Sequence, residues 1–372
     1  MPRSVPRVTD EQLRAATLIR LHELAVVPAP LEQEAARAAI VQGWWRADGL
    51  GDVHVDAVGN VLARLRRGTT GRRVLVAAHL DTVFPADVDH ALRTGTDGRL
   101  HGPGVGDNTV AVAALAELRH LVPGEGDGHD VWLVATVGEE GLGNLRGAKH
   151  LVATHDDLAA FVAVEGAMLG RISLAGNGSV RARVDVHGPG GHSWSDRDRD
   201  SAVHAAARAI ALLAAERPGR EESWSWHVAS VTGGGDINVL AAHASFTLEI
   251  RAPGTFVLAA LETRARELVA AGAAGLAWEW TELGRRPGGA IAPDHPLARA
   301  ATTAHDAHGC AWILEDAGTD ANAALGAGLA ALTVGLADGE GLHTLAEWLD
   351  PARIPLGLRV LADLVVAAAA AD

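Results

Sequence analysis

Val74-Leu75-Val76-Ala77-Ala78-His79-Leu80-Asp81-Thr82 is an apolar run that stops on a histidine and an aspartate two residues apart. A run without charge, led by Val and Leu, fits a strand buried on both faces, and a chain leaving such a strand emerges at the carboxyl edge of a sheet. Open α/β sheets bind ligands at that edge. A His-x-Asp pair there can place an imidazole on a metal while the acidic residue fixes the orientation and basicity of the ring. The same pair can also do no more than cap a strand and hydrogen-bond the backbone, so the surrounding chain has to decide.

The pattern recurs downstream. Val131–Val137 is a second buried-strand run, ending in Gly138-Glu139-Glu140-Gly141, and Ala160–Val164 is a third, ending in Glu165-Gly166. Between them, Asp107-Asn108 opens an apolar helical stretch through Val110, Val112, Leu115 and Leu118 to Leu121, and a helix is expected over about 144–153. Three strands alternating with two helices predict a mostly parallel α/β sheet with helices on both faces. Upstream, Thr9 and Gln12 resemble a capping box for a helix that ends before Pro28, a second helix covers about 31–47, and 52–65 alternates around Gly59-Asn60 as a hairpin.

From about Asn177 the character changes. Strands over 180–187, 224–230, 244–251 and 276–283 are interrupted by helices near 201–216 and 255–271, which predicts a separate α+β domain, with Arg285–Gly289 as the return linker. The α/β alternation then resumes with a helix near 295–307, strands over 311–314 and 331–334, a helix from about 320 and a terminal helix after Pro351. Residues 1–176 and 289–372 thus form one domain and 177–288 a second one inserted into it.

Composition narrows the chemistry. A chain of 372 residues, 48% hydrophobic and 21% charged, is an ordinary globular mixture with room for two domains. A net charge of −14 without a long basic run argues against nucleic acid as partner. Cys310 is the only cysteine, so no intrachain disulfide forms and any metal is held by His and carboxylates. Met1-Pro2-Arg3-Ser4-Val5-Pro6 has no apolar signal core and no stretch reaches 18 uncharged apolar residues, which points to the cytoplasm and away from the membrane.

His79, Glu140, Glu165 and His343 each fall within a few residues of the carboxyl end of an expected strand or in the loop beyond it, and Asp107 sits at a loop-to-helix junction on the same rim. Two His and three carboxylates are one group short of two three-ligand sites. A carboxylate that bridges both ions closes that count, so two divalent metals fit better than one. Glu139 remains unspent, and a carboxylate beside a metal-activated water is placed to act as general base.

The order His79-x-Asp81, Asp107, Glu139-Glu140, Glu165, His343 resembles the co-catalytic zinc family of aminoacylases, acetylornithine and succinyl-diaminopimelate deacylases, and bacterial glutamate carboxypeptidases. The resemblance spans nearly the whole chain, through His79-Leu-Asp-Thr-Val-Phe-Pro85, Gly102-Pro-Gly-Val-Gly-Asp107, Gly138-Glu-Glu-Gly141, His187-Gly-Pro-Gly-Gly-His192-Ser193, Gly233-Gly-Gly-Asp-Ile-Asn238-Val239, Glu249-Ile-Arg251 and Gly341-Leu-His343-Thr344. It implies that His79 and Glu165 hold one zinc, Glu140 and His343 the other, with Asp107 bridging and Asp81 orienting His79. Cobalt or manganese could take the place of zinc. It also implies that the inserted domain is a ferredoxin-like dimerisation lid whose His192 meets the substrate carbonyl, often in the partner subunit, with Asn238 and Arg251 contacting substrate. Many relatives follow the bridging aspartate with Asp-Lys; here Asn108-Thr109 stands instead, which predicts a differently shaped pocket beside the metals.

The guanidinium of Arg251 suits a substrate carboxylate, so dipeptides, C-terminal amino acids or N-acyl amino acids with a free carboxyl are the expected substrates. Glu165 resembles the deacylase branch, where several peptidases carry Asp, and peptidase and N-acyl-amino-acid deacylase both stay open. From another class, a catalytically silent relative that binds a ligand through the same fold also remains. No Gly-x-Ser-x-Gly elbow supports a serine hydrolase, and Gly102–Asp107 lacks the spacing and preceding strand of a dinucleotide loop. Trp224, Trp226, Trp278 and Trp280 fall at alternate strand positions and are expected in packing.

Overall fold

A computed structural model describes residues 8–220 and 222–370; the N-terminal stretch Met1–Pro6 lies outside them. Thr9 caps the first helix, α1 (Asp10–Ala25), through the reciprocal bonds of a capping box with Gln12. Helix α2 (Ala35–Ala47) follows. The chain then supplies the strands β1 (Gly51–Val55), β2 (Val61–Arg66), β3 (Arg73–His79), β4 (Asp130–Thr136), β5 (Leu158–Glu165) and β6 (Arg171–Ser173), with the short helix α3 (Val110–Leu115) and α4 (Arg146–Thr154) between them. Residues beyond Gly176 add β7 (Gly178–His187), α5 (Ala202–Ala215), β8 (Ser225–Gly233), β9 (His243–Ala252), α6 (Thr255–Ala273) and β10 (Ala277–Arg286). The return brings α7 (Pro296–Ala307), β11 (Ile313–Leu314), α8 (Ala321–Gly326), β12 (Ala331–Gly335) and α9 (Ile354–Ala369).

The chain divides into two compact units, one running to Gly176 and resuming at Ala290, the other Asn177–Gly289. In the first, eight strands lie in the order β1-β2-β4-β3-β5-β12-β6-β11. The centre of this sheet is parallel, β4 with β3, β3 with β5 and β5 with β12, whereas β1-β2, β2-β4 and β12-β6 are antiparallel. Alternate residues of the central strands serve two different cores. Val74, Val76, Ala78, Leu133 and Val162 pack with side chains of α1, α3, α7 and α9, while Leu75, Ala77, Val134 and Phe161 pack with those of α4 and α8. Both faces are covered, so the strands read as unbroken apolar runs and not as alternation.

The second unit is an antiparallel sheet, β8-β9-β7-β10, whose Val180, Val184, Phe246, Leu248 and Ile250 pack against Ala205, Ala209 and Leu213 of α5 and Leu258, Ala265 and Val269 of α6. Trp224, Trp226, Trp278 and Trp280 pack against that core. The stretch expected as a linker is shorter than 285–289, because Arg285 and Arg286 continue the ladder opposite Val180 and Ser179. The helix expected from Asp107 to Leu121 is also broken. Asp107 (φ −116°, ψ 91°) and Asn108 (φ −130°, ψ 28°) are not helical, α3 begins after them, and a 3-10 turn over Ala116–His120 replaces its end. No helix of the described residues is long and apolar enough to cross a membrane.

Candidate metal centre

Parallel pairing sets the carboxyl ends of β4, β3 and β5 side by side, and each end delivers an ionisable group. His79 closes β3, Glu165 closes β5, and Glu139-Glu140 follow β4 by three and four residues. All four are buried. Asp107 comes from the loop ahead of α3, and His343 from the loop beyond β12, where it adopts a left-handed backbone (φ 63°). Three donor groups result, each with its ligand atoms within 4.8 Å of one another: His79, Asp107 and Glu165; Asp107, Glu140 and His343; and His79, Glu139 and Glu140.

Asp107 is shared by its two oxygens. Oδ1 lies 3.0 Å from His79 Nε2, which is 3.8 Å from Glu165 Oε2, while Oδ2 lies 3.0 Å from His343 Nε2, itself 3.1 Å from Glu140 Oε1. Donors held at the usual lengths by one tetrahedral zinc stand roughly 3.3 Å apart, so these separations suit groups that share an ion. The ring of His79 gives a second test. Its Nδ1–H donates to the carbonyl of Asp81 at 2.9 Å, so in the neutral ring Nε2 turns an unshared pair toward two carboxylates. Only a cation, metal or proton, makes that arrangement favourable. Burial opposes the protonation of His79, but hydrogen bonds to Asp107 and Glu165 outweigh it and raise its pKa well above the ordinary value. Hydrogen bonds to Asp107 and Glu140 push His343 up to about 10. Burial raises the carboxyl of Asp107, yet the two imidazoles bring it below the usual carboxylate range, while burial lifts Glu165 to about 7. Nitrogen and oxygen donors without sulfur fit a divalent ion such as zinc.

Asp81 faces His79 with two groups, its carboxylate Oδ1 lying 3.7 Å from the ring Nδ1. Its backbone carbonyl orients His79, while its buried carboxylate accepts the N–H of Glu139 at 3.0 Å and of Glu140 at 2.7 Å. One residue therefore ties the end of β3 to the acidic loop after β4. Asn108 and Thr109 are both buried, Asn108 Nδ2 donating to the carbonyl of Val164 at 2.7 Å and Thr109 Oγ1 accepting from Arg37 at 3.1 Å. The loop spends these side chains on holding its own path.

Two site-supporting residues escaped the sequence reading. Arg37 of α2 is fully buried, donating to the carbonyls of Val27 and Leu80 and to Thr109; burial lowers its pKa to about 10 against the opposing charge of Asp81. Its only signal was a charge at a core position of the helical repeat Arg37, Val41, Trp45. Glu347 is equally buried and accepts backbone N–H groups of the loop that carries Asp107. Nothing in its local sequence marked it.

The other three expected site residues lie in the second unit. The N–H of Trp194 donates to His192 Nδ1 at 3.2 Å, so the neutral ring keeps its proton on Nε2 and presents a donor. Ser193 N–H donates to the carbonyl of Asn238, which brings these two motifs together. Arg251 is the penultimate residue of β9 and is paired through Nε and Nη2 with Glu249.

Residues 75–367 match the family model described as peptidase family M20/M25/M40. The chain belongs to this family. A succinyl-diaminopimelate desuccinylase of Corynebacterium glutamicum is 32% identical over 202 residues, 53% of this chain and 54% of that protein. The M20 chain thus spans about half the length of that curated relative. Its fold is shared by a tripeptidase of Staphylococcus aureus, with a TM-score of 0.81 at 21% identity, covering 96% of this chain and 98% of that one. It is shared also by a dinuclear metal binding peptidase of Bacillus subtilis, with a TM-score of 0.70 at 16% identity over 96% and 98% of the two chains.

Proposed function

We propose that this M20 chain is a dinuclear-metal hydrolase, with zinc as the native ion, that cuts a peptide or amide bond in a small, carboxylate-bearing substrate in the cytoplasm. The observation that carries the reading is the division of Asp107, one oxygen toward His79 and Glu165 and the other toward Glu140 and His343. His79, Asp107 and Glu165 would hold one ion and Asp107, Glu140 and His343 the other, and such ions would supply an acidified water and Lewis-acid polarisation of the scissile carbonyl. Glu139, buried beside His79 and Glu140, takes the proton of the attacking water as its oxygen bonds to the carbonyl carbon. The same carboxyl returns a proton to the nitrogen as the C–N bond breaks. Asp81 fixes the backbone from which Glu139 and Glu140 project.

The substrate roles of His192, Asn238 and Arg251 rest on the sequence resemblance. A neutral His192 offers Nε2–H to the carbonyl oxygen, and Glu249 takes one side of the Arg251 fork, leaving Nη1 for a substrate carboxylate. The alternative reading, an N-acyl-amino-acid deacylase rather than a peptidase, draws support from the likeness to the desuccinylase.

Elemental analysis of the purified chain is expected to give two ions, and His343→Ala or Glu140→Ala to lose at least one. Glu139→Gln should keep both ions while kcat on dipeptides or N-acyl amino acids drops by roughly 100-fold or more, because an amide of nearly the same shape cannot accept the proton. Parental turnover in Glu139→Gln removes the general-base role. Two ions with no turnover on either substrate panel would instead support a ligand-binding relative.

A further inference from the structure

We infer that Glu347 is a positioning residue for the metal centre, the buried acceptor that shapes the Gly102–Asp107 loop so that Asp107 faces both donor sets at once; this rests on the dinuclear reading above. Glu347 is fully buried. Its Oε1 accepts the N–H of Gly106 at 2.7 Å and of Asp107 at 2.8 Å, its Oε2 accepts the N–H of Gly104 at 3.0 Å, and its backbone carbonyl accepts the N–H of Gly102 at 3.1 Å. Four amides of one loop thus end on one residue. Buried N–H groups must find an acceptor, and a concave run of them closes around an anion, so the carboxylate sets the curvature of the loop.

The glycines of the motif follow from that embrace. Gly104 is left-handed (φ 66°), and a Cβ on Gly106 would lie 2.6 Å from Ala167 Cβ and 3.2 Å from Glu347 Oε1. Beyond Asp107 the loop is held from the opposite side by the bond from Asn108 to Val164, the residue before Glu165. Glu347 also lies four residues after His343. The turn between them closes through Thr344 N–H to the carbonyl of Gly341 and Glu347 N–H to that of Thr344, and a Cβ on left-handed Gly341 would come within 3.2 Å of Glu347 Cα. One residue therefore couples the His343 turn to the Asp107 loop.

A carboxylate is required on chemical grounds. Among the described residues its side chain accepts from three backbone donors, so the amide of a glutamine has to turn an N–H against one of them. Glu347→Gln is the decisive variant. With the metal-stripped full chain, zinc titration by calorimetry should show at least one ion weakened by roughly 10–100-fold. The visible spectrum of the cobalt-loaded protein should change, and kcat should fall with little movement in KM. A residue that only stabilised the fold would lower the melting temperature and leave the cobalt spectrum unaltered. Two ions bound by Glu347→Gln at parental affinity, with the parental spectrum, overturn the inference. Should Glu347→Gln fail to fold, Glu347→Asp, which keeps the charge but withdraws it by one methylene, is read in the same way. A parental chain that itself binds fewer than two ions defeats the dinuclear reading instead.

Discussion

At the scale of single residues, the centre is a set of imidazoles and carboxylates that attract a proton and a metal ion for the same reason. His343 sits at about 10 because its Nε2 meets Asp107 and Glu140, and His79 is raised by Asp107 and Glu165. Below those values each ring holds a proton that an incoming ion has to displace. Apparent metal affinity should therefore rise with pH, by about tenfold per unit for each proton displaced, between pH 6 and 8. Calorimetric zinc titrations at several pH values check this, and the dependence should flatten in His343→Ala. An affinity indifferent to pH in the parental chain would exclude these histidines as ligands.

At the scale of elements, the strand ends hold position because helices pack against backbone at close range. Gly357 of α9 is such a point: a Cβ there would lie 1.7 Å from the carbonyl oxygen of Leu336, whose own N–H donates to the carbonyl of Glu165. Alanine is the better helix former by about 1 kcal/mol, so propensity alone favours Gly357→Ala. Overlap with backbone that cannot rotate away opposes it and costs about 1–3 kcal/mol or more. We expect Gly357→Ala to unfold at lower urea concentration and to lose activity through displacement of Glu165. A stabilised variant would show that α9 is free to shift.

At the scale of the whole molecule, the sheet of the Asn177–Gly289 unit has β8 and β10 as its edge strands among the described residues. Pairing two copies about a two-fold axis is a common way to cover such an edge. We expect a homodimer through this unit, with His192 of one subunit serving the other. Mixing inactive Glu139→Gln and His192→Ala chains should then restore activity, since some heterodimers contain one intact site. A fully active monomer by light scattering would exclude the shared site and leave the metal chemistry standing.

Sequence alone determined the strand-helix order, the break in character near Asn177 and the residues at the carboxyl ends of β3, β4 and β5, because these follow from local periodicity and from chain order. It also placed Asp107, Glu140, Glu165 and His343 on one rim, with the resemblance supplying the pairing of ligands. Only the tertiary structure decided that Asp81 orients His79 by its carbonyl and spends its carboxylate on Glu139 and Glu140, and that Asp107 begins no helix. The same holds for Arg37 and Glu347. Glu347 meets the N–H of Asp107 across 240 positions, and Arg37 meets Thr109 across 72. A buried charge is satisfied by whichever backbone the fold carries to it, and no local pattern records that meeting.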